Sequence, residues 1–262
     1  MKPHFIYKGI NSREMGISIL KLPPRIKPER RGEIINVPGR DGFLFESDNA
    51  YNGKTLEIEC TFIPPERYTQ DGIDKLIMDI LVWLDGNGEL VFSDYPDYYY
   101  EAKIINAIPI ERLFKRYRRF LIAFEVQPFA KKKEKSIVTK NTLAEETINV
   151  DTYYETPLTI NLEATGSVDI NINDTTMHFD NLEVPIIIDG ELMNVSDGKG
   201  VNKNNLMTGN FPKLKPGNNT ISILCKSPST FTKMTMEYRG LWLWLDYMKE
   251  MKKTSNTMEL EF

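Results

Sequence analysis

Gly53-Lys54-Thr55 has the last residue types of a phosphate-binding loop, in which backbone amides cradle phosphate ahead of a helix N-terminus. Asp48 stands where the first glycine of that loop belongs, and the residues that follow alternate as a strand does, so no nucleotide site is expected. Asp85-Gly86-Asn87-Gly88-Glu89 offers oxygens at the first, third and fifth places of a calcium loop. Leu90 replaces its glycine and Pro96 its closing glutamate, which leaves a helix-ending turn as the better reading. Gly16-Ile17-Ser18-Ile19 begins like a nucleophile elbow, but Leu20 sits where the second glycine must allow the sharp turn.

His4 and His178 are the only imidazoles, and neither has a local partner that would set its tautomer. Asp94 with Asp97 and Glu145 with Glu146 are carboxylate pairs, but glycoside chemistry needs such pairs at a fixed separation across one cleft. They read as solvated loop charge. Cys60 and Cys225 lie far apart in strand-like runs, so neither a disulfide framework nor a metal cluster is expected. No residue reads as catalytic, cofactor-binding or metal-binding, and no enzyme is expected.

Two clusters suit binding instead. Tyr95, Tyr98, Tyr99 and Tyr100 join broad apolar faces to hydrogen-bonding tips, which fits a sheet face, a protein interface or a sugar platform. Arg112, Lys115, Arg116, Arg118 and Arg119 form a basic patch, either solvated surface or a site for an acidic partner.

The 262 residues carry 33 Lys plus Arg against 37 Asp plus Glu, a net charge of −4 that disfavours binding nucleic acid over the whole surface. Met1 to Gly16 lacks the apolar stretch of a signal peptide. Leu241 to Leu245, an apolar run that no other in the chain exceeds, falls far short of the ~20 residues of a membrane helix. The product is expected in the cytoplasm or in a particle assembled there.

The elements follow from periodicity. Leu56, Ile58, Cys60 and Phe62 alternate with Glu57, Glu59 and Thr61 as a half-buried strand ended by Pro64-Pro65. Ile73, Leu76, Ile77, Ile80, Leu81 and Leu84 lay one apolar stripe along a helix that Thr69 or Asp71 caps and Asp85-Gly86-Asn87-Gly88 ends. Ile34 to Val37, Pro38-Gly39-Arg40-Asp41-Gly42 and Phe43 to Phe45 make a strand, a glycine-rich tip and a returning strand. Tyr98 to Ile108 and Arg119 to Val126 form an antiparallel pair joined near Leu113 to Tyr117.

Lys131-Lys132-Lys133-Glu134-Lys135 has no apolar period and reads as a solvated linker between domains 1–135 and 136–262. From Thr156 onward short strands follow at intervals of about ten residues, the spacing of an all-β sandwich. Leu158 to Leu162 and Val168 to Ile172 read as successive strands; Leu241 to Lys253 is strand or short helix, and Met258 to Phe262 a closing strand. The fold class is mainly β, with an N-terminal β-sandwich and hairpin domain holding one α-helix and a C-terminal β-sandwich.

The order of these features resembles the distal tail (Dit) proteins of phages with long, flexible, non-contractile tails. The likeness rests on Ile34-Ile35-Asn36-Val37-Pro38-Gly39-Arg40-Asp41-Gly42, on Leu81-Val82-Trp83-Leu84 followed by Gly88-Glu89-Leu90, on Tyr98-Tyr99-Tyr100, and on Phe124-Glu125-Val126-Gln127-Pro128-Phe129. Ile186-Ile187-Ile188-Asp189-Gly190 and Leu214-Lys215-Pro216-Gly217-Asn218-Asn219-Thr220-Ile221 resemble the family's galectin-like C-terminal sandwich.

The resemblance implies a virion structural protein of the siphovirus tail tip or baseplate, from a phage or prophage. Six copies would form a homohexameric ring joining the tail tube protein above to the tail-tip hub protein below, with no catalytic residue, cofactor, nucleic-acid contact or membrane required. A ring of one repeated subunit needs two different complementary patches on each chain. The hairpin tip at Pro38, Gly39, Arg40, Asp41 and Gly42 is the expected ring or inter-ring contact, with Arg40 and Asp41 offering charge-assisted hydrogen bonds; an ordinary mobile hairpin is its alternative. The alternative function is a carbohydrate-binding module contacting the bacterial host surface. A tail-tip enzyme that cleaves peptidoglycan rests only on scattered carboxylates.

Overall fold

The computed structural model describes residues 3–24, 26–63, 69–106, 108 and 119–242. The chain divides into two compact units, Met1–Ala130 and Lys131–Trp242. The basic residues Arg112, Lys115, Arg116 and Arg118, the turn near Leu113 to Tyr117, and the segments expected beyond Trp242 lie outside the described residues.

In the first unit, β1 (Phe5–Tyr7), β2 (Ile10–Asn11) and β3 (Ile17–Lys21) precede a hairpin of β4 (Arg30–Ile35) and β5 (Leu44–Tyr51). Then come β6 (Lys54–Phe62), α1 (Gln70–Trp83), β7 (Asn87–Phe92), β8 (Tyr98–Ile104) and β9 (Arg119–Val126). Seven of these strands form one sheet in the order β2-β1-β7-β8-β9-β6-β3, and its pairs are antiparallel. The period-2 run of β6 puts Leu56, Ile58 and Cys60 inside and Glu57 outside.

Helix α1 lays Leu76, Ile77, Ile80 and Trp83 into the core, as its 3.6-residue stripe requires. Thr69 caps it, its hydroxyl accepting from the Gly72 amide at 3.4 Å. Trp83 stacks on Phe5 at 5.8 Å and donates its indole N–H to the Tyr7 carbonyl at 2.8 Å. Phe124 meets Phe5 and Tyr7 edge-on at 5.7 and 5.2 Å, so one aromatic cluster joins helix, β1 and β9.

The second unit opens on the charged run itself. Lys131 and Lys132 belong to β10 (Ala130–Lys132), the Lys131 ammonium lies 2.6 Å from Glu191, and Arg239 donates to the Lys132 carbonyl at 3.0 Å. The stretch expected to be a solvated linker is thus fastened into the unit. Its strands continue as β11 (Ser136–Lys140), β12 (Glu146–Val150), β13 (Thr156–Ile172), β14 (Thr175–Leu182), β15 (Ile186–Asp189) and β16 (Asn194–Asp197), then β17 (Met207–Gly209), β18 (Lys213–Leu214), β19 (Gly217–Cys225), β20 (Thr230–Tyr238) and β21 (Leu241–Trp242).

Thr156–Ile172 is one 17-residue strand where the sequence predicts two. Its first half pairs with β15 and β20, its second with β14 and β19. The change of partners falls where the register shifts at Glu163/Ala164 and near Gly166. Gly166 has φ +77°, and a Cβ there would come within 2.4 Å of the Ser229 hydroxyl. A glycine at this bend lets a single strand serve both layers. Leu158, Ile160, Leu162, Ile170, Ile172, Phe179, Ile188 and Met236 form the buried core between them.

Candidate assembly surface

The two strands β4 and β5 form a sheet of their own. Register pairs Ile35 with Leu44, Ile34 with Phe45, Glu33 with Glu46 and Gly32 with Ser47. At the tip Val37-Pro38-Gly39-Arg40 closes a turn in which the Arg40 amide donates to the Val37 carbonyl at 3.2 Å. Proline presets the φ of its second residue, and Gly39, with φ +78°, supplies the left-handed third that a type II turn demands. Gly42 also takes a left-handed φ, +80°.

The root of the hairpin is tied more firmly. The Asn52 amide donates to the Glu29 carbonyl at 2.9 Å, and Tyr51 meets Phe129 edge-on at 5.2 Å. Arg30 donates to the Asn49 side chain at 2.8 Å and to the Tyr51 hydroxyl at 3.1 Å. Arg31 pairs with Asp48 and holds its carboxyl below the usual carboxylate range. Gly32 is required by close approach, since a Cβ there would sit 2.4 Å from the Glu46 carbonyl oxygen and 2.7 Å from the Phe45 ring.

The arm buries almost nothing of itself. Every residue from Arg31 to Glu46 is exposed, including Ile34 at 63%, Phe43 at 61% and Phe45 at 46%. Ile35, Val37 and Leu44 are also exposed, and adjacent register pairs point to opposite faces, so both faces near the tip are apolar. An isolated two-stranded hairpin is marginal in water, and Glu33 opposite Glu46 sets like charges against each other. Six large apolar side chains at the end of such an arm make a surface built to be covered. The six extended residues of β4 alone reach roughly 20 Å, before the turn is added.

The predicted contact residues Pro38, Gly39, Arg40, Asp41 and Gly42 all lie at this exposed tip, and Arg40 and Asp41 make no ion pair among the described residues. In the sequence the apolar residues flanking them read only as strand. Nothing in their types separates a covered strand from a bare one.

The other chemical candidates are dispersed. Lys54 is buried with its ammonium 5.1 Å from the Tyr100 ring centre, and burial lowers its pKa to about 8. Gly86 and its neighbours end α1, with the Tyr7 hydroxyl donating to the Gly86 carbonyl at 2.6 Å. Tyr99 and Tyr100 are core residues of β8. Cys60 is buried, its thiol pushed up to about 12, and Cys225 is also free. Among the described residues no group of three His, Cys, Asp or Glu is placed to hold a metal, and no helix is long and apolar enough to cross a membrane.

His178 does have partners, Asp180 two residues along its own strand, contrary to the expectation of no local partner, and Asp169 across on β13. The register sets it opposite Asp169; its Nδ1 contacts that carboxylate and its Nε2 lies 3.1 Å from Asp180. The Asp169 hydrogen bond and then the nearby Asp180 charge raise its pKa above the ordinary 6.5. The raised value means this pairing is fully present below pH 6.5 and is lost as pH rises through the folded-state value. Nuclear magnetic resonance titration is expected to place His178 above the ordinary imidazole value, with Asp169→Asn bringing it down; coincident midpoints for His178 in both proteins would contradict the pairing.

Residues 11–126 match the family model described as the phage tail protein RIFT-related domain. A search of curated proteins finds no match. Among solved structures the chain is similar to the SPP1 Dit protein, described as a paradigm of the hub adsorption apparatus in phages that infect Gram-positive bacteria. The two share 13% identity with a TM-score of 0.69, over 92% of this chain and all of the other. At that identity the likeness is one of fold, and it extends through both units.

Proposed function

We infer that this chain is a structural component of a phage tail, a distal tail protein of the siphophage type that works as a ring-forming adaptor. The observation that carries the reading is the bare apolar arm of β4 and β5, which projects from a domain matching the phage tail family model. A closed ring of identical subunits gives each arm a neighbour to cover it, and it removes the apolar surface that would aggregate single chains. The ring would hold six copies at the tail tip, between the tail tube protein and the tail-tip hub protein, with the Pro38 to Gly42 tip at a ring or inter-ring contact.

The second unit fits a structural part as well. The polar side chains Ser167, Asp169, Asn171, Thr176, His178 and Asp180 on β13 and β14 bond one another, so much of their hydrogen-bonding capacity is already taken up. This favours the adaptor over a carbohydrate-binding module.

Immunogold labelling of intact particles with antibodies raised against the chain tests the assignment. Label confined to the tail end distal to the head is expected. Label on the capsid, or along the whole tube, would overturn it.

A further inference from the structure

The ring reading leaves open which surface receives the arm. The outward face of the first unit's sheet carries a short apolar strip. Register sets Ala123 opposite Glu57 and Leu121 opposite Glu59, while the Ile105 amide donates to the Ala123 carbonyl at 3.1 Å. Ile105, Ala123 and Leu121 therefore adjoin on that face, with Ile105 52% and Leu121 39% exposed and Ala123 buried between them as the floor of the strip. Arg119 engages Glu59 at 3.4 Å. Glu57 is exposed and makes no ion pair among the described residues.

This strip is the chemical counterpart of the arm's end. The tip offers Phe43 and, three residues before it, Arg40: an exposed apolar side chain and a cation that makes no ion pair among the described residues. The strip offers Ile105 and Leu121 beside Glu57, an apolar patch next to an anion in the same condition. Both surfaces stand exposed in one chain, so the arm does not cover its own strip, and two different patches that fit each other are what a head-to-tail ring requires.

We propose that the strip formed by Ile105, Ala123 and Leu121, with Glu57 at its margin, is the docking site for the arm tip of a second copy of this chain, Phe43 seating on Leu121 and Arg40 facing Glu57. The proposal rests on the ring reading above and adds the receiving surface to it. Burial of the apolar contact supplies the affinity, and the charge pair fixes the position of the arm.

Disulfide trapping in the full chain, with Cys225→Ser and the buried Cys60 retained, tests it. Phe43→Cys combined with Leu121→Cys, oxidised with copper phenanthroline, is expected to give a ladder of linked chains on a non-reducing gel. Phe43→Cys with Met78→Cys, on the exposed side of α1, is expected to give none. In parallel, Arg40→Glu or Glu57→Arg alone weakens assembly about tenfold, and the two together restore it. Oligomers that form without the Phe43–Leu121 link, or a charge reversal without rescue, would overturn the docking site and leave the ring reading standing. Single chains at every concentration would overturn both.

Discussion

Excising Glu33 to Glu46 and closing Gly32 to Ser47 with an Asn-Gly turn is expected to convert the assembled protein to single chains, each slightly lighter than the 30.3 kDa parent chain, in sedimentation velocity. Gly32 and Ser47 are already paired, and Asn-Gly is the two-residue connection that matches strand twist. The root contacts of Arg30, Arg31 and Tyr51 survive. What disappears is Ile34, Ile35, Val37, Phe43, Leu44 and Phe45, each exposed in the single chain. At about 1 kcal/mol for completing the burial of each, the interface loses roughly 6 kcal/mol, more than a thousandfold in affinity. Because these residues contribute nothing to either core, thermal unfolding of the shortened chain should match that of the parent. A variant that still assembles would remove the arm from the mechanism.

Phe124→Ala is expected to have the largest effect on stability. Its side chain is fully buried, sits in β9 opposite Leu56, and packs edge-on against Phe5 and Tyr7. Truncation removes those contacts and leaves a cavity between helix and sheet, at about 3–5 kcal/mol. That is a large share of the roughly 5–15 kcal/mol that holds a typical domain folded. Calorimetry should show the first unit melting roughly 10 °C lower or more. Phe43→Ala, at the exposed tip, should leave the same transition in place. Equal melting of Phe124→Ala and the parent would mean that the aromatic cluster does not hold the platform from which the arm projects.

The contrast between these two phenylalanines marks what was legible in the sequence. Local periodicity carried the helix, because Leu76, Ile77 and Ile80 share one side of a 3.6-residue repeat. It carried β6 as well, because Leu56 and Ile58 alternate with acids. The Val37-Pro38-Gly39-Arg40 turn was legible from the steric limits of its two central residues. Burial is another matter. Phe43 and Phe124 are the same residue in strand-like surroundings, and only tertiary structure leaves one bare at the end of an arm.

Register was equally hidden. Asp169 and His178 lie nine residues apart, and nothing near either announces a pair; they meet because β13 and β14 align them. The long strand Thr156–Ile172 was misread as two for a related reason. Its alternation falters around Gly166, where a bend continues the strand into the second layer rather than ending it. Of the proposed contact surface, the tip residues were legible through their turn chemistry. The apolar strip at Ile105 and Leu121 was not, since it exists only once β8 and β9 lie side by side.

Light scattering of the full chain during size-exclusion chromatography, across a range of concentrations that includes a high one, tests the central claim most directly. The ring account predicts a species of about 180 kDa, six times the 30.3 kDa chain, populated as concentration rises. A mass of 30.3 kDa at every concentration would contradict self-assembly through the arm.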